Sequence, residues 1–289
     1  MSYTINVKGR LMDLESPVVM GILNVTPDSF YSGSRKQTEQ EIADRVNAII
    51  GEGGVIVDVG AFSTRPGAKH ITEQEEMERL RYGLQIVYRE QPDAVVSVDT
   101  FRPEVARMAV EEFGADIIND VSGGNINGAF GGADSAVTGD EEYPEMFRMA
   151  ARLGTPYILM STNSNIHDML IWFAEKVQQL RDLGQKDIIL DPGFGFGKTL
   201  EQNYDIMREL DKLSVLELPV LSGVSRKTMI YKLIGGTPET SLNGTTVLNT
   251  ISLMAGAKIL RVHDVREAVE AVKIMNYELR ITNCRLCRC

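Results

Sequence analysis

VIVDVGAFSTRPGAKHITEQEEMERLRYGLQIVYREQPDAVVSVDT, residues 55–100, is the stretch whose reading decides the fold. Two short runs rich in Val end in polar residues, and an amphipathic segment lies between them. Both runs are near-continuously apolar rather than alternating, which marks strands covered on both faces, as in a parallel sheet. Thr72 stands before Glu73, Glu75 and Glu76, which supplies an N-cap and an acidic first turn for the intervening helix. The stretch therefore predicts strand, helix and parallel strand.

The same alternation continues on either side. Further runs lie at Val18–Val25, Ile117–Val121, Pro156–Thr162, Asp187–Pro192, Pro219–Ser225 and Lys258–Asp264. With Val55–Phe62 and Val95–Thr100 that makes eight strands. Pro103 suits a helix start after the third. Asp168 opens a segment with Leu170, Ile171, Phe173, Val177 and Leu180 at helical spacing. Gly51, Gly53 and Gly54 end the first helix, and Gly114 and Gly184 the third and fifth. Eight β–α units in series predict an α/β protein, a TIM (β/α)8 barrel with right-handed crossovers. An open doubly wound sheet is the alternative, but eight is the number that closes a barrel. Residues before 18 predict a short N-terminal β-hairpin on the barrel floor. Residues 123–139, GGNINGAFGGADSAVTG, predict a long flexible loop. Residues 1–283 form one domain, and 284–289 a cysteine-containing tail.

Composition narrows the function classes. Of 289 residues, 43% are hydrophobic and 24% charged, which suits a soluble globular protein. The net charge of −10 disfavours nucleic acid or an anionic membrane as partner. No apolar run reaches the ~18 residues of a membrane span, and the N-terminus lacks the apolar core of a secretory signal. The three cysteines, Cys284, Cys287 and Cys289, all fall in the last six residues, which predicts a reducing, cytoplasmic setting. Three cysteines that close together are weak grounds for a metal or redox site.

Barrel chemistry is built at the C-terminal ends of the strands. Those ends carry Asn24; Asp58 with Ser63, Thr64 and Arg65; Asp99; Asn119 with Asp120; Ser161 and Thr162; Asp191; Ser225, Arg226 and Lys227; and Arg261 with His263. A single Asp before a helix reads as a cap, but packing does not require eight polar ends at one mouth. Asp99, Asp191 and Asn119 suit a flat heterocycle with adjacent N–H donors, because a carboxylate accepts two at once. Lys227, Arg261 and His263 lie on the last two strands, where barrels commonly bind phosphate. PGFGFGKT, Pro192 to Thr199, fails as a P-loop because Pro192 stands at the first glycine position. Gly193, Gly195 and Gly197 instead predict a backbone turning closely over a planar ligand. No histidine pair has metal-ligand spacing.

Seven stretches carry a resemblance: GILNVTPDSF (21–30), DVGAFSTRPGA (58–68), SVDTFRPEVA (97–106), IINDVSGG (117–124), ILDPGFGFGKT (189–199), GVSRK (223–227) and RVHDV (261–265). In these the chain closely resembles the dihydropteroate synthases, a family of pterin-binding TIM barrels that sulfonamides inhibit. The resemblance implies that 4-aminobenzoate displaces diphosphate from 6-hydroxymethyl-7,8-dihydropterin diphosphate, giving 7,8-dihydropteroate by an SN1-like route. It implies Asp99, Asn119, Met160, Asp191 and Lys227 for the pterin, and Asn24, Thr64, Arg261 and His263 for the diphosphate, with Mg²⁺ at Asn24. Phe30, Thr64, Arg65, Pro66 and Ser225 would frame the aminobenzoate or a sulfonamide. Asp28, Asp99 and Lys227 are the expected catalytic residues. The chain departs from the family at the fifth strand. The family usually reads LMHM there, whereas Ser161 and Thr162 follow Met160 here. Two rivals remain: a methyltetrahydrofolate:corrinoid methyltransferase and a pterin-binding paralogue without turnover. The late segments Thr245–Gly256 and Val265–Tyr277 are apolar enough for a homodimer face.

Overall fold

A computed structural model describes residues 3–25, 35–62, 71–125 and 143–286. Eight strands form one parallel sheet: β3 (Val18–Asn24), β4 (Ile56–Gly60), β5 (Val95–Asp99), β6 (Ile117–Asp120), β7 (Tyr157–Met160), β8 (Ile188–Asp191), β9 (Leu221–Ser222) and β10 (Ile259–Val262). Their order, β8-β7-β6-β5-β4-β3-β10-β9, follows the chain around a ring. The ring closes where the Leu190 N–H donates to the Pro219 carbonyl at 2.9 Å, beside a parallel bridge from Leu190 to Val220. The barrel reading holds and the open sheet is excluded.

Helices α1 (Arg35–Gly51), α2 (Glu73–Glu90), α3 (Pro103–Phe113), α4 (Glu145–Leu153), α5 (Ile166–Asp182) and α6 (Leu200–Arg208) return the chain between strands. A 3₁₀ turn follows at Leu210–Leu216, and then α7 (Thr228–Ile234), α8 (Leu242–Met254) and α9 (Val265–Leu286). Thr72 and Glu75 form a reciprocal capping box on α2, and Pro103 begins α3 as its spacing predicts. The fifth helix starts earlier than the sequence suggests. Asn165, not Asp168, caps it by accepting the Asp168 N–H at 2.9 Å. Its buried face is Ile166, Met169, Phe173, Val177 and Leu180, and Ile171 is exposed. Helix α9 runs on through Leu286, past the expected start of the tail; Cys287 and Cys289, like most of the expected loop 123–139, lie outside the described residues. Among the described residues no helix is long and apolar enough to cross a membrane.

The hairpin expectation is met by β1 (Thr4–Val7) and β2 (Arg10–Asp13), antiparallel and joined by Lys8 and Gly9. Both joining residues have positive φ, 50° and 76°, which matches a two-residue turn to the right-handed twist of the strands. Ile5, Val7 and Leu14 pack under a ring of inward side chains: Met20, Ile56, Val95, Ile117, Ile158, Ile189, Leu221 and Ile259, one from each strand. This apolar layer seals the floor and forces ligand chemistry to the other end.

Candidate active site

Strand side chains alternate faces, so each step of two residues from the floor ring climbs one layer inside the barrel. The first step reaches Ile22, Asp58, Ser97, Asn119, Met160, Asp191, Gly223 and Arg261. The second reaches Asn24, Gly60, Asp99, Val121, Thr162, Gly193, Ser225 and His263. Eight of the expected site residues therefore fall in two adjacent layers by pleat geometry alone: Asn119, Met160, Asp191 and Arg261, then Asn24, Asp99, Ser225 and His263.

Arg261 ties the middle of the site together. Its Nε donates to Asp58 Oδ2 and its Nη2 to Asp99 Oδ2, each at 2.6 Å. Asn119 Nδ2 donates to the same Asp58 carboxylate, 3.2 Å from Oδ2. Burial opposes the charge on Arg261, yet the Asp58 and Asp99 carboxylates hold its guanidinium above the ordinary range. Burial pushes the Asp99 carboxyl up to about 7, with Asp58 adding to the rise and Arg261 opposing it. Arg261 is thus the counter-ion of the Asp58 and Asp99 carboxylates. Asp58, which the sequence placed at a strand end without a role, is its fully buried partner.

Beside this network, Asp191 Oδ1 accepts the Gly193 N–H at 2.7 Å. Burial raises the Asp191 carboxyl, and the Lys227 charge is the main opposing influence. Lys227 reaches in from the loop after β9, donates to the Phe194 carbonyl and lies 4.7 Å from the Phe196 ring centroid. Burial lowers its ammonium to about 8 against the pull of Asp191. Asn119 Oδ1 and Ser97 Oγ are buried without a partner. Leaving such atoms unpaired costs ~1–3 kcal/mol each, and a ring N–H would satisfy them. Met160, Phe101 and Val121 with the half-buried Phe62 and Phe196 supply an apolar wall.

His263 is a neutral donor at neutral pH. Burial first, then Arg261, lowers its imidazole to about 4. Ser225 Oγ lies 3.1 Å from His263 Nδ1 and accepts the His263 backbone N–H at 3.1 Å. The neutral ring can still donate from Nε2 to an anion. Arg45, which the sequence did not single out, bonds the Ile22 carbonyl at 3.1 Å and the His263 carbonyl at 2.7 Å, latching two neighbouring strand ends. A cleft of about 360 Å³ opens here, lined by Asn24, Arg45, Arg226 and His263 among others.

Three expected mouth residues point elsewhere. Asp120 faces outward, where the Tyr157 hydroxyl and the Ser122 and Gly124 N–H groups donate to it. Ser161 is buried and accepts the Asn163 N–H, and Arg226 forms a two-pronged ion pair with Asp264. Two of the glycines after β8 pack closely against the protein itself. Gly193 and Gly195 have φ of 64° and 80°; a Cβ on the first would lie 2.2 Å from the Ser161 carbonyl, and on the second 3.0 Å from the Lys227 side chain. Backbone packing demands the first, and positive φ favours glycine at both. Asp28, Phe30, Thr64, Arg65 and Pro66 lie outside the described residues.

The eight-stranded barrel gathers buried carboxylates, an asparagine and two cations at its mouth, and residues 20–263 match the model of the pterin binding enzyme family. The chain belongs to that family. Its relatives place it among the dihydropteroate synthases. The enzyme of Escherichia coli strain K12 is 35% identical over 287 residues, covering 94% of this chain and 95% of the relative. The Xanthomonas albilineans dihydropteroate synthase solved with 4-aminobenzoic acid superposes with a TM-score of 0.83 at 32% identity, covering 96% of this chain and 99% of that one. The Yersinia pestis enzyme in complex with a sulfonamide drug gives 0.79 at 32% identity, covering 96% of this chain and 100% of that one.

Proposed function

We propose that this chain is a dihydropteroate synthase, a transferase of folate biosynthesis. It joins 4-aminobenzoate to 6-hydroxymethyl-7,8-dihydropterin diphosphate and releases diphosphate. The observation that carries the reading is the convergence of Asp99, Asn119, Asp191 and Lys227 on one buried mouth beside Arg261 and His263. Asp191 and the unpartnered Asn119 Oδ1 receive the ring's N–H donors, Met160 lies against the ring, and Lys227 donates to its acceptors. Arg261 and the Nε2–H of His263 take the leaving diphosphate with Asn24 and Thr64.

Charge on the leaving group is the main barrier, and offsetting it makes departure easy. The methylene left behind is a cation conjugated with the pterin ring, held in a floor bearing Asp58, Asp99 and Asp191. An aromatic amine is a weak nucleophile, so it needs an activated electrophile more than a base. Asp28 stabilises this cation, and the loops bearing Phe30, Arg65 and Pro66 exclude water as they frame the aminobenzoate with Ser225. A sulfonamide would compete for the same place, whether this chain is a sulfonamide target or a resistant variant.

Among the described residues no cluster of three or more His, Cys, Asp or Glu could hold a metal. The single oxygen donor of Asn24, exposed at the end of β3, suits a Mg²⁺ ion that keeps its waters and binds the substrate's phosphates. Asn24 would hold such an ion, and the ion would supply positive charge to offset that of the diphosphate.

The absence of cysteine before residue 284 supports a cytoplasmic enzyme. Exposed Val247 and Met254 on α8, with Ile274 and Tyr277 on the adjoining α9, form an apolar face that a second copy covers. Sedimentation of Met254→Lys as a monomer, against a dimeric parent, tests that face.

The test of the activity is direct. The protein is incubated with the pterin diphosphate, 4-aminobenzoate and Mg²⁺, and dihydropteroate is measured. Product confirms the synthase; pterin binding without product supports a paralogue that has lost turnover.

A further inference from the structure

Lys198 has no part in the roles above, yet its ammonium is deeply placed. It donates to three backbone carbonyls: Gly193 at 2.9 Å, Ser161 at 3.1 Å and Phe196 at 3.3 Å. An ammonium has three donors, and here all three are used on main chain. One acceptor is at the end of β7, and two are in the turn that follows β8.

That turn holds the pterin-facing groups in place. Its Gly193 N–H bonds Asp191, its Phe194 carbonyl accepts Lys227, and its Phe196 ring lies beside the Lys227 ammonium. A Cβ on Gly193 would sit 3.3 Å from the Lys198 nitrogen as well as against the Ser161 carbonyl. Lys198 grips Ser161 by its backbone, so the grip is indifferent to the side-chain change that sets this strand apart from the family's usual sequence.

We infer that Lys198 is a positioning residue for pterin recognition. Its ammonium clamps the turn after β8 to the end of β7, and through that turn sets the places of the Asp191 carboxylate and the Lys227 ammonium. The inference rests on the pterin reading of the site. It also has an electrostatic side. Asp191 is faced by Lys227 from the loop after β9, Arg261 from β10 and Lys198 from its own loop, and the Lys227 ammonium among them also faces Asp99 of β5. Removing the Lys198 charge leaves burial less opposed, so Asp191 takes a proton at higher pH.

The experiment compares the parent enzyme with Lys198→Met and Lys198→Arg. Affinity for 6-hydroxymethyl-7,8-dihydropterin diphosphate is measured by calorimetry from pH 5 to 9, alongside steady-state turnover and thermal unfolding. Lys198→Met is expected to weaken pterin affinity about tenfold, the effect of one lost charge-assisted contact, with the KM for 4-aminobenzoate within about twofold. The acid limb of pterin affinity is expected to move up by about half a pH unit or more. Lys198→Arg keeps the charge but cannot serve three carbonyls with the same geometry. Its acid limb is expected to stay in place while affinity falls. If the parent binds and turns over pterin and both variants match it in affinity and pH profile, the positioning role is overturned alone. The same holds if Lys198→Met lowers only thermal stability. If the parent neither binds nor turns over the pterin substrate, both readings fall.

Discussion

Asp58→Asn removes one charge from the centre of the barrel and keeps the shape. In the parent, Asp58 Oδ2 accepts from Arg261 Nε at 2.6 Å and from Asn119 Nδ2 at 3.2 Å, while Oδ1 lies 3.4 Å from the same Asn119 nitrogen. The Asp58 side chain is 0% exposed and that of Arg261 20%. Breaking a buried ion pair by removing one partner costs ~3–5 kcal/mol. Asp99 remains 2.6 Å from Arg261 Nη2, and the introduced amide oxygen can still accept from Nε. The lower end, ~3 kcal/mol, therefore applies, equivalent to roughly 6–12 °C in Tm for a domain of this size. The introduced NH₂ takes the Oδ1 position, 3.4 Å from the Asn119 NH₂, a donor–donor contact beside the 3.2 Å bond that the amide oxygen at Oδ2 can still accept. Rotating the Asn119 amide resolves the conflict, but it turns the Oδ1 that had no partner away from the cavity. That removes an acceptor for the pterin ring, worth ~1–3 kcal/mol or roughly 5- to 150-fold in affinity. Thermal unfolding and calorimetric titration with the pterin diphosphate measure the two effects. A variant that unfolds at the parent's temperature and binds pterin with the parent's affinity would refute the argument that Asp58 anchors both Arg261 and Asn119.

Gly193→Ala is expected to lose at least ~2 kcal/mol in denaturant unfolding, because φ of 64° strains any β-carbon and its Cβ would meet the Ser161 carbonyl at 2.2 Å. His263 is expected to stay neutral down to about pH 4 in an NMR titration, readily followed because the chain has three histidines. Its folded pKa lies below the unfolded value near 6.5, so its contribution to stability is present above pH 6.5 and is lost as pH falls through about 4. The stability gap between the parent and His263→Gln, if the parent is the more stable at pH 7, should narrow over that window. Lys227, lowered to about 8, predicts that pterin affinity declines as pH rises through 8, and that Lys227→Met removes this basic limb. Thr72→Ala deletes half of the capping box on α2 and should cost ~1 kcal/mol in urea unfolding.

The floor of the barrel was legible because its cause is local. Near-continuous apolar runs such as Val18–Val25 give buried parallel strands, and eight of them fix closure. The same pleat placed Asn119, Asp191 and Arg261 two residues above the floor, and Asn24, Asp99 and His263 two further on. Where signals competed locally, the sequence misled. Asp168 looked like the start of the fifth helix, but the helix begins at Ile166, capped by Asn165, where the backbone is still extended. Asp120 resembled a site carboxylate, but it follows Asn119 and so points to the opposite face.

The order of strands and helices, the end of the barrel that bears chemistry, and the family are properties of the sequence, because periodicity and strand-end residue types are written along the chain. Partnership was decided only by tertiary structure. Arg261 meets Asp58 and Asp99 across 203 and 162 residues, and Lys198 reaches a carbonyl 37 residues away. Which cation neutralises which carboxylate, and whether His263 carries a charge, depend on distances and burial that exist only once the ring has closed.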